Sequence, residues 1–307
     1  MSDISVVIPT FNRLWALPQA VESCRSAGGN VEIVVIDDGS TDGTWDWLQA
    51  QQDIVAIRTD NWGKDWAVET ALAAARGEYV RFLDSDDWLC EDANADQLAL
   101  ARETGADLVV AGYEDYDEES GERHVNAWSD CDDFIAQQLG EGWASHYSAF
   151  LFRRELIRGI PHRQDFALRD DRLFILEVAM RQPRLAVYRQ PAFVHRRHGG
   201  ERLQYTAGFK RDLGYWTHIA IYRKVLGLLE QRGELTPRRK QAAIRTLWPN
   251  VRSFAKAYPR EAAEVVDWIY RLDPQFVPPV RPALALAYRL LGFAMTERLL
   301  RLRSLPQ

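Results

Sequence analysis

The chain has 307 residues, 47% of them hydrophobic, and a formal net charge of −6, which suits one large or two ordinary globular domains with a sizeable core. Its three cysteines, Cys24, Cys90 and Cys131, have no CxxC spacing. That speaks against a disulfide scaffold or a zinc site and is compatible with a reducing compartment. The charge is unevenly spread. Residues 201–307 hold 19 Lys and Arg against 9 Asp and Glu, a balance of +10, whereas residues 1–200 hold 19 against 35, or −16. An acidic first part is a poor nucleic-acid binder, and the basic part carries no nucleic-acid-binding motif. The first residues lack a basic region followed by a long apolar run, so no signal or transit peptide is expected. No window reaches the roughly 18 uninterrupted apolar residues of a membrane span.

In chain order, Ser5 to Pro9 is continuously apolar after Ser5 and predicts a buried parallel strand. Thr10 to Arg13 is a loop and Leu14 to Ser26 a helix, stopped by Gly28-Gly29. Val31 to Ile36 predicts a second strand, ending in Asp37-Asp38-Gly39-Ser40-Thr41-Asp42-Gly43, a turn with a helix N-cap signal. A helix bearing Trp45 and Trp47 follows, then a strand at Ile54–Arg58, a loop at Asp60–Lys64 and an Ala-rich helix, Asp65 to Ala75. Tyr79 to Leu83 predicts the fourth strand, Ala93 to Thr104 a helix and Asp107 to Gly112 the fifth strand. Strands alternating with helices mean βαβ units and a mostly parallel sheet.

From Tyr113 the pattern loosens. A strand, an acidic turn at Glu118–Gly121 and a returning strand through His124 to Trp128 are expected. Residues 130–140 read as helical and Ser145–Phe152 as a strand. A polar loop then leads to Asp170-Asp171, which opens an apolar helix to Met180. Short strands are expected at Leu185–Tyr188 and Phe193–His195. From about Tyr205 onward, Leu, Trp and Ala at three- and four-residue spacing predict several amphipathic helices punctuated by prolines. The last of them runs from Pro282 to Leu300.

The stretch with the most chemistry is Arg76 to Trp88. It is a short apolar strand that delivers Asp84, Asp86 and Asp87 at its C-terminal end, where open α/β sheets place ligands. In extended geometry Asp84 and Asp86 point the same way and Ser85 the other. Two like charges held close repel unless a cation lies between them, and hard oxygen ligands suit Mg²⁺ or Mn²⁺. The same residues also read as a simple helix cap.

Three stretches together resemble the inverting glycosyltransferases of family 2, with the GT-A fold. They are Ser5-Val-Val-Ile-Pro-Thr-Phe-Asn-Arg13, Val34-Val-Ile-Asp-Asp-Gly-Ser-Thr-Asp-Gly-Thr44 and Ala75-Arg-Gly-Glu-Tyr-Val-Arg-Phe-Leu-Asp-Ser-Asp-Asp87. They occur in the family's order and spacing, and the resemblance covers about residues 4–200. It implies an α/β, Rossmann-like, mostly parallel sheet flanked by helices. Residues 1–112 would form the nucleotide-sugar half of a catalytic domain and residues 113–200 its acceptor half. Residues 201–307 would form a helical C-terminal region.

The resemblance also implies roles. Asp84 and Asp86 match the family's DxD motif, which holds the donor diphosphate through Mn²⁺ or Mg²⁺, and His198 matches a histidine often near that metal. Pro9, Thr10, Asn12, Asp38, Asp84 and Ser85 would line the nucleotide-sugar site. Asp171 would be the general base, which transfer to a hydroxyl requires. One in-line attack then inverts the anomeric centre. The expected donor is a UDP-sugar, with dTDP- and GDP-sugars open, and the acceptor a glycan or lipid-linked hydroxyl in bacterial surface polysaccharide or glycoconjugate synthesis. The expected location is cytoplasmic, extending to the inner face of the plasma membrane.

Each role has a plainer counterpart. Asp38 also reads as a turn residue, Asp171 as a helix cap and His198 as a surface histidine. Trp62, Trp66, Trp88 and Trp143 are candidates for stacking on sugars, or ordinary packing, and His195 reads as structural. One departure stands out: Val68 and Glu69 occupy positions where the family often carries an Arg-Asn pair. The competing functions are a sugar nucleotidyltransferase, which the glycine-free Pro9–Arg13 loop disfavours, and a catalytically silent scaffold on the same fold. The C-terminal helices could serve as an acceptor lid, a homodimer interface or a basic platform on a membrane. A bundle packed on protein is the simplest use.

Overall fold

The computed structural model describes residues 2–162, 164–166, 169–199, 209–255 and 257–303. It divides into two compact units, one made of residues 1–132 with 143–201, the other of residues 133–142 with 202–307.

The first unit is built on one mixed sheet. Its elements in order are β1 (Ile4–Thr10), α1 (Leu17–Ser26), β2 (Val31–Asp37), α2 (Thr44–Gln49), β3 (Ile54–Arg58), α3 (Lys64–Ala74), β4 (Tyr79–Phe82), β5 (Trp88–Leu89), α4 (Ala93–Thr104), β6 (Leu108–Asp117) and β7 (Arg123–Asn126). A three-residue helical turn, α5 (Phe134–Ala136), belongs to the second unit, and then come β8 (Leu151–Arg153), α6 (Arg154–Ile157), α7 (Asp170–Ala179) and β9 (Leu185–Arg197). The strands are ordered β3-β2-β1-β4-β8-β6-β9-β5, with β7 paired to β6. β3, β2, β1 and β4 run parallel, β8 lies antiparallel to both β4 and β6, and β9 returns parallel to β6.

Every residue of β1 is buried, as a strand covered on both faces requires. The chain enters β4 pressed against β1. A Cβ at Gly77 would lie 2.5 Å from the Ser5 amide nitrogen, so only glycine fits there. The Gly77 amide donates to Ser5 Oγ at 2.8 Å. Inside β4, Arg81 is fully buried. It donates to Asn94 Oδ1 (2.8 Å) and the Ser148 carbonyl (3.1 Å), and pairs with Gln97. It thereby ties β4 to α4 and to the segment before β8, and burial pushes its pKa down to about 10.

Several expectations from periodicity are corrected. Ser145–Phe152 is not one strand. Residues 147–149 form a single tight helical turn whose buried Ala149 and Ser148 backbone meets Gln97 and Arg81, and only 151–153 pair in the sheet. Leu185–Tyr188 and Phe193–His195 are one strand, because register shifts near Gly112 of β6 absorb the polar residues between them. β6 continues past Gly112 to Asp117 for the same reason.

In the second unit, residues 133–142 pack with α8 (Phe209–Gln231), α9 (Pro237–Phe254), α10 (Pro259–Leu272), α11 (Pro282–Leu291) and α12 (Phe293–Arg303). α9 begins with Pro237, whose fixed φ suits a first helical position, and Thr236 accepts from the Arg239 amide. Leu139, just beyond α5, offers its carbonyl to Tyr222 Oη (2.9 Å) and Thr246 Oγ1 (3.0 Å). The next residue, Gly140, has φ 118°, and a Cβ there would fall 2.0 Å from Thr246 Oγ1. The expected single helix from Pro282 to Leu300 is broken at Gly292, whose φ is 74°. The expected helical stretch at residues 205–208, Gly200, and Arg163, Ala167 and Leu168 of the polar loop lie outside the described residues.

Candidate active site at one edge of the sheet

Register gathers the acidic loops. Thr10 of β1 pairs with Asp37 of β2, Asp37 with Arg58 of β3, and Val7 of β1 with Phe82 of β4. The loops after all four parallel strands therefore open at one edge, where α/β sheets bind ligands.

The first two of these loops are stitched together. Asn12, at φ 51°, donates its backbone amide to Ser40 Oγ and accepts from the Thr41 amide, both at 2.8 Å. The Asp38 amide donates to the Thr10 carbonyl at 2.9 Å. Pro9 and Thr10 are buried, and Thr10 Oγ1 has no hydrogen-bond partner among the described residues. Asp37 is fully buried, accepting from the Ser40 amide with Arg58 3.5 Å away. Asp38 takes a different part. Its carboxylate accepts from Thr59 Oγ1, the Trp62 amide and the Gly63 amide, each at 2.8 Å. It holds the loop that leads into α3, and a carboxylate with two oxygens can still accept another donor.

The last loop carries the acidic triplet. Asp84 and Asp86 are half-buried and Ser85 and Asp87 buried. Lys64 Nζ donates to Asp84 Oδ1 at 2.6 Å. Burial raises the Asp84 carboxyl pKa, but Lys64 and the nearby His146 outweigh it and hold that pKa below the usual carboxylate range. Burial opposes the Lys64 ammonium as well, and Asp84, with Asp171 further off, keeps its pKa well above normal. Asp86 Oδ2 lies 3.1 Å from His198 Nε2 and 3.6 Å from Arg13 Nε. The His198 ring packs edge-on against Trp15. Asp87 turns inward, where the Arg196 amide donates to it at 2.9 Å; burial, then the charges of Asp84 and Asp86, push its pKa well up.

α7 brings the later pair of acids, and the helix dipole favours both there. Asp170 is buried and hydrogen-bonds His162 Nδ1, whereas Asp171 is half-buried and accepts from the Arg172 amide at 2.8 Å. Asp65, at the start of α3, is buried near both. Burial, then the Asp170 charge, pushes its pKa up to about 7. Behind Asp84 stands His146, whose pKa burial depresses. His195 pairs with Asp115 at 2.9 Å and stacks on His146, a structural use.

Val68 is in the core, and Glu69 accepts from the His162 amide, so both departures from the Arg-Asn pair serve the scaffold. Trp62, Trp66 and Trp143 are exposed, with Trp143 stacked on Tyr113. Trp88 is occupied by the guanidinium of Arg196 and the ring of Tyr116. Lys64, Asp65 and His162 were not anticipated. Lys64 had one signal: a cation at a first helical position opposes the dipole, and such locally unfavourable choices collect at functional sites. His162, alone in a polar loop, had none.

Asp84 and Asp86 fit a Mg²⁺ or Mn²⁺ ion of the kind held by one or two carboxylates and completed by substrate phosphates. His198 is on the same acid, although no cluster of three or more His, Cys, Asp and Glu stands ready to enclose an ion among the described residues.

Known proteins resemble this chain in sequence and in fold. Residues 5–160, just over half of the chain, match the model of glycosyl transferase family 2. The glycosyltransferase GlyG of Streptococcus pneumoniae serotype 4 is 26% identical over 232 residues, which cover 68% of this chain and 76% of GlyG. The Escherichia coli UDP-Glc:alpha-D-GlcNAc-diphosphoundecaprenol beta-1,3-glucosyltransferase WfaP is 38% identical over 92 residues, 29% of this chain and 37% of WfaP. Among solved structures, S. aureus TarS in complex with UDP-GlcNAc superposes with a TM-score of 0.69 at 19% identity, covering 99% of this chain and 93% of that one. The Pyrobaculum calidifontis mannosyltransferase PcManGT, in complex with GDP-Man and Mn²⁺, gives a TM-score of 0.51 at 18% identity over 98% of this chain and 87% of that one. At these identities the likeness to the solved structures is one of fold.

Proposed function

The chain belongs to glycosyl transferase family 2, and from that premise we propose a metal-dependent, inverting hexosyltransferase. It moves a sugar from a nucleoside diphosphate, UDP first among them, to a hydroxyl of a glycan or lipid-linked acceptor in bacterial surface polysaccharide or glycoconjugate synthesis. UDP is favoured because TarS is seen with UDP-GlcNAc. The lipid-linked acceptor is favoured because WfaP is named for one. Such an acceptor would set the work at the cytoplasmic side of the plasma membrane.

The observation that carries this reading is the position of Lys64. Its ammonium feels Asp84 at the end of β4 and Asp171 at the start of α7, so a donor-diphosphate acid and a candidate base surround one cation. Residues 1–112 then hold the donor and residues 113–200 most of the acceptor. Pro9, Thr10, Asn12, Asp38 and Ser85 line the nucleotide. Asp38 keeps the 59–63 loop closed on it through the three bonds described above.

Asp84 and Asp86, with His198 on Asp86, would hold the divalent ion, which neutralises charge on the departing diphosphate. Lys64 and Arg13 turn their charges toward the same phosphates. Asp171 receives the proton of the acceptor hydroxyl on a carboxylate oxygen as that hydroxyl's oxygen bonds to the anomeric carbon. The bond from the anomeric carbon to the phosphate oxygen breaks on the opposite side, so the nucleoside diphosphate leaves and the centre inverts. Asp170 does not compete for this role, since its carboxylate is turned inward on His162.

Calorimetric titration of UDP, GDP and dTDP, each with and without Mn²⁺, on the wild type and on Asp86→Ala, tests the proposal. Binding of one nucleotide that needs both Mn²⁺ and Asp86 supports it. Absence of binding by all three overturns the donor site and favours a silent scaffold.

A further inference from the structure

Every exposed residue between 281 and 300 is an alanine, leucine, methionine, glycine, proline or arginine. On α11, Leu286 and Leu290, one turn apart, are 54% and 71% exposed, and Leu291 follows them. Beyond Gly292 the pattern repeats on α12 with Met295, 49% exposed, then Leu299 and Leu300. Single exposed leucines need no explanation, but six large aliphatic side chains on two successive helices do.

The opposite faces of these helices are used. Tyr288 of α11 and Phe293 of α12 are buried, stack on each other and meet Trp248 of α9. The segment's one acid, Glu297, is also buried: it accepts from Tyr288 Oη, with Arg252 at 4.0 Å. What remains outside is aliphatic carbon and the cations of Arg281, Arg289 and Arg298. No exposed side chain there offers a hydrogen-bond acceptor or a negative charge.

We propose that α11 and α12 form a membrane-surface anchor that lies in the interface of an anionic lipid bilayer. An in-plane amphipathic helix needs long aliphatic residues on one side and cations that meet lipid headgroups. Among the described residues no helix is long and apolar enough to cross a membrane, so the contact is peripheral. Charge complementarity selects the occupant. A symmetric contact with a second copy sets each patch against itself, bringing arginine toward arginine, whereas an anionic headgroup layer offers them partners. The inference stands on the second unit alone and does not depend on the chemistry proposed for the first.

The test is co-sedimentation of the full chain with vesicles of phosphatidylglycerol and phosphatidylethanolamine, or of phosphatidylcholine alone, at low and high salt. Binding is expected to the anionic vesicles and to weaken with salt. Arg289→Gln with Arg298→Gln should weaken it about 25-fold, at roughly fivefold per basic residue. Leu290→Ser with Leu299→Ser should weaken it at least as much while leaving the melting temperature unchanged, since both leucines are exposed. Failure to bind anionic vesicles, equal binding to phosphatidylcholine, or binding that survives both double variants overturns the proposal. So does a concentration-dependent dimer that the leucine variant abolishes in a chain that ignores vesicles.

Discussion

Lys64 Nζ lies 2.6 Å from Asp84 Oδ1, so the first carboxylate of the Asp84-Ser85-Asp86 triplet is neutralised by the chain itself. A divalent ion held as proposed would have to compete with this ammonium for the same oxygen, and a charge-assisted bond of this kind contributes about 1.5–3 kcal/mol. Donor phosphates bound there would give the ammonium another anion and release Asp84. Metal and nucleotide should therefore strengthen each other's binding, by the same factor in each direction. In Lys64→Met, Mn²⁺ titrated without nucleotide should bind about tenfold more tightly than in the wild type, and UDP should enhance Mn²⁺ binding less. Unchanged Mn²⁺ affinity in the variant would remove Lys64 from this role.

Asp171→Asn keeps the shape of the α7 terminus and removes the proton acceptor. Sugar transfer should fall about 100- to 10,000-fold, the range for loss of a general base. UDP affinity should stay within about twofold, measured by calorimetry on the same sample. A variant that retains a tenth of the wild-type rate would mean that another group takes the proton. Asp65, pushed up to about 7 and close by, would be the first to examine.

Asp38→Ala leaves Thr59 Oγ1, the Trp62 amide and the Gly63 amide without their acceptor. Water reaches part of this loop, so the expected cost is about 2–3 kcal/mol in denaturant unfolding rather than the full sum of three lost bonds. Asp38→Asn, which keeps one carbonyl oxygen, should recover roughly half of that. If Asp38 also touches the donor, UDP affinity drops in both variants, whereas a purely structural Asp38 would lose stability in step with affinity.

Asp65 gives a pH signature. Its pKa is raised in the folded chain to about 7, while in the unfolded chain it is near 4. Between those values the unfolded chain releases a proton that the folded chain keeps, so this group's contribution to stability is lost as pH rises through the window, with no further loss above it. Asp65→Asn should match the wild type near pH 4 and exceed it by on the order of 2 kcal/mol at pH 8. Equal stability at both pH values would show that Asp65 titrates normally.

The parallel half of the sheet and its acidic edge were legible from the residues, because local signals decide them. Apolar-rich runs, interrupted by Glu32 in β2 and Arg81 in β4, mark these strands together with β1, and an acid-rich turn follows two of the three. The antiparallel half was not. β9 carries Arg189 and Gln190 in mid-strand and looks like two short pieces, and only its long pairing with β6 shows it to be one. Arg81 reads as a polar interruption, yet it is among the largest fully buried side chains; its partners Asn94, Gln97 and Ser148 are 13, 16 and 67 residues away. His162 finds Asp170 only through the fold. Such contacts leave no periodic trace in a sequence.

The short passage from Asp133 to Gly142 makes the two units topologically inseparable by a single cut. It leaves the sheet-bearing unit for ten residues and returns. There Asp133 meets Arg239 at 2.9 Å, Glu141 meets Arg238 at 2.7 Å, and Phe134, Ile135 and Leu139 are buried. Truncation near residue 200 would strip those partners away and leave three apolar side chains, two orphaned carboxylates and the doubly bonded Leu139 carbonyl looping out of the remaining piece. A minimal transferase domain trimmed at that point would carry an adhesive flap, and an autonomous one needs residues 133–142 replaced by a short polar linker.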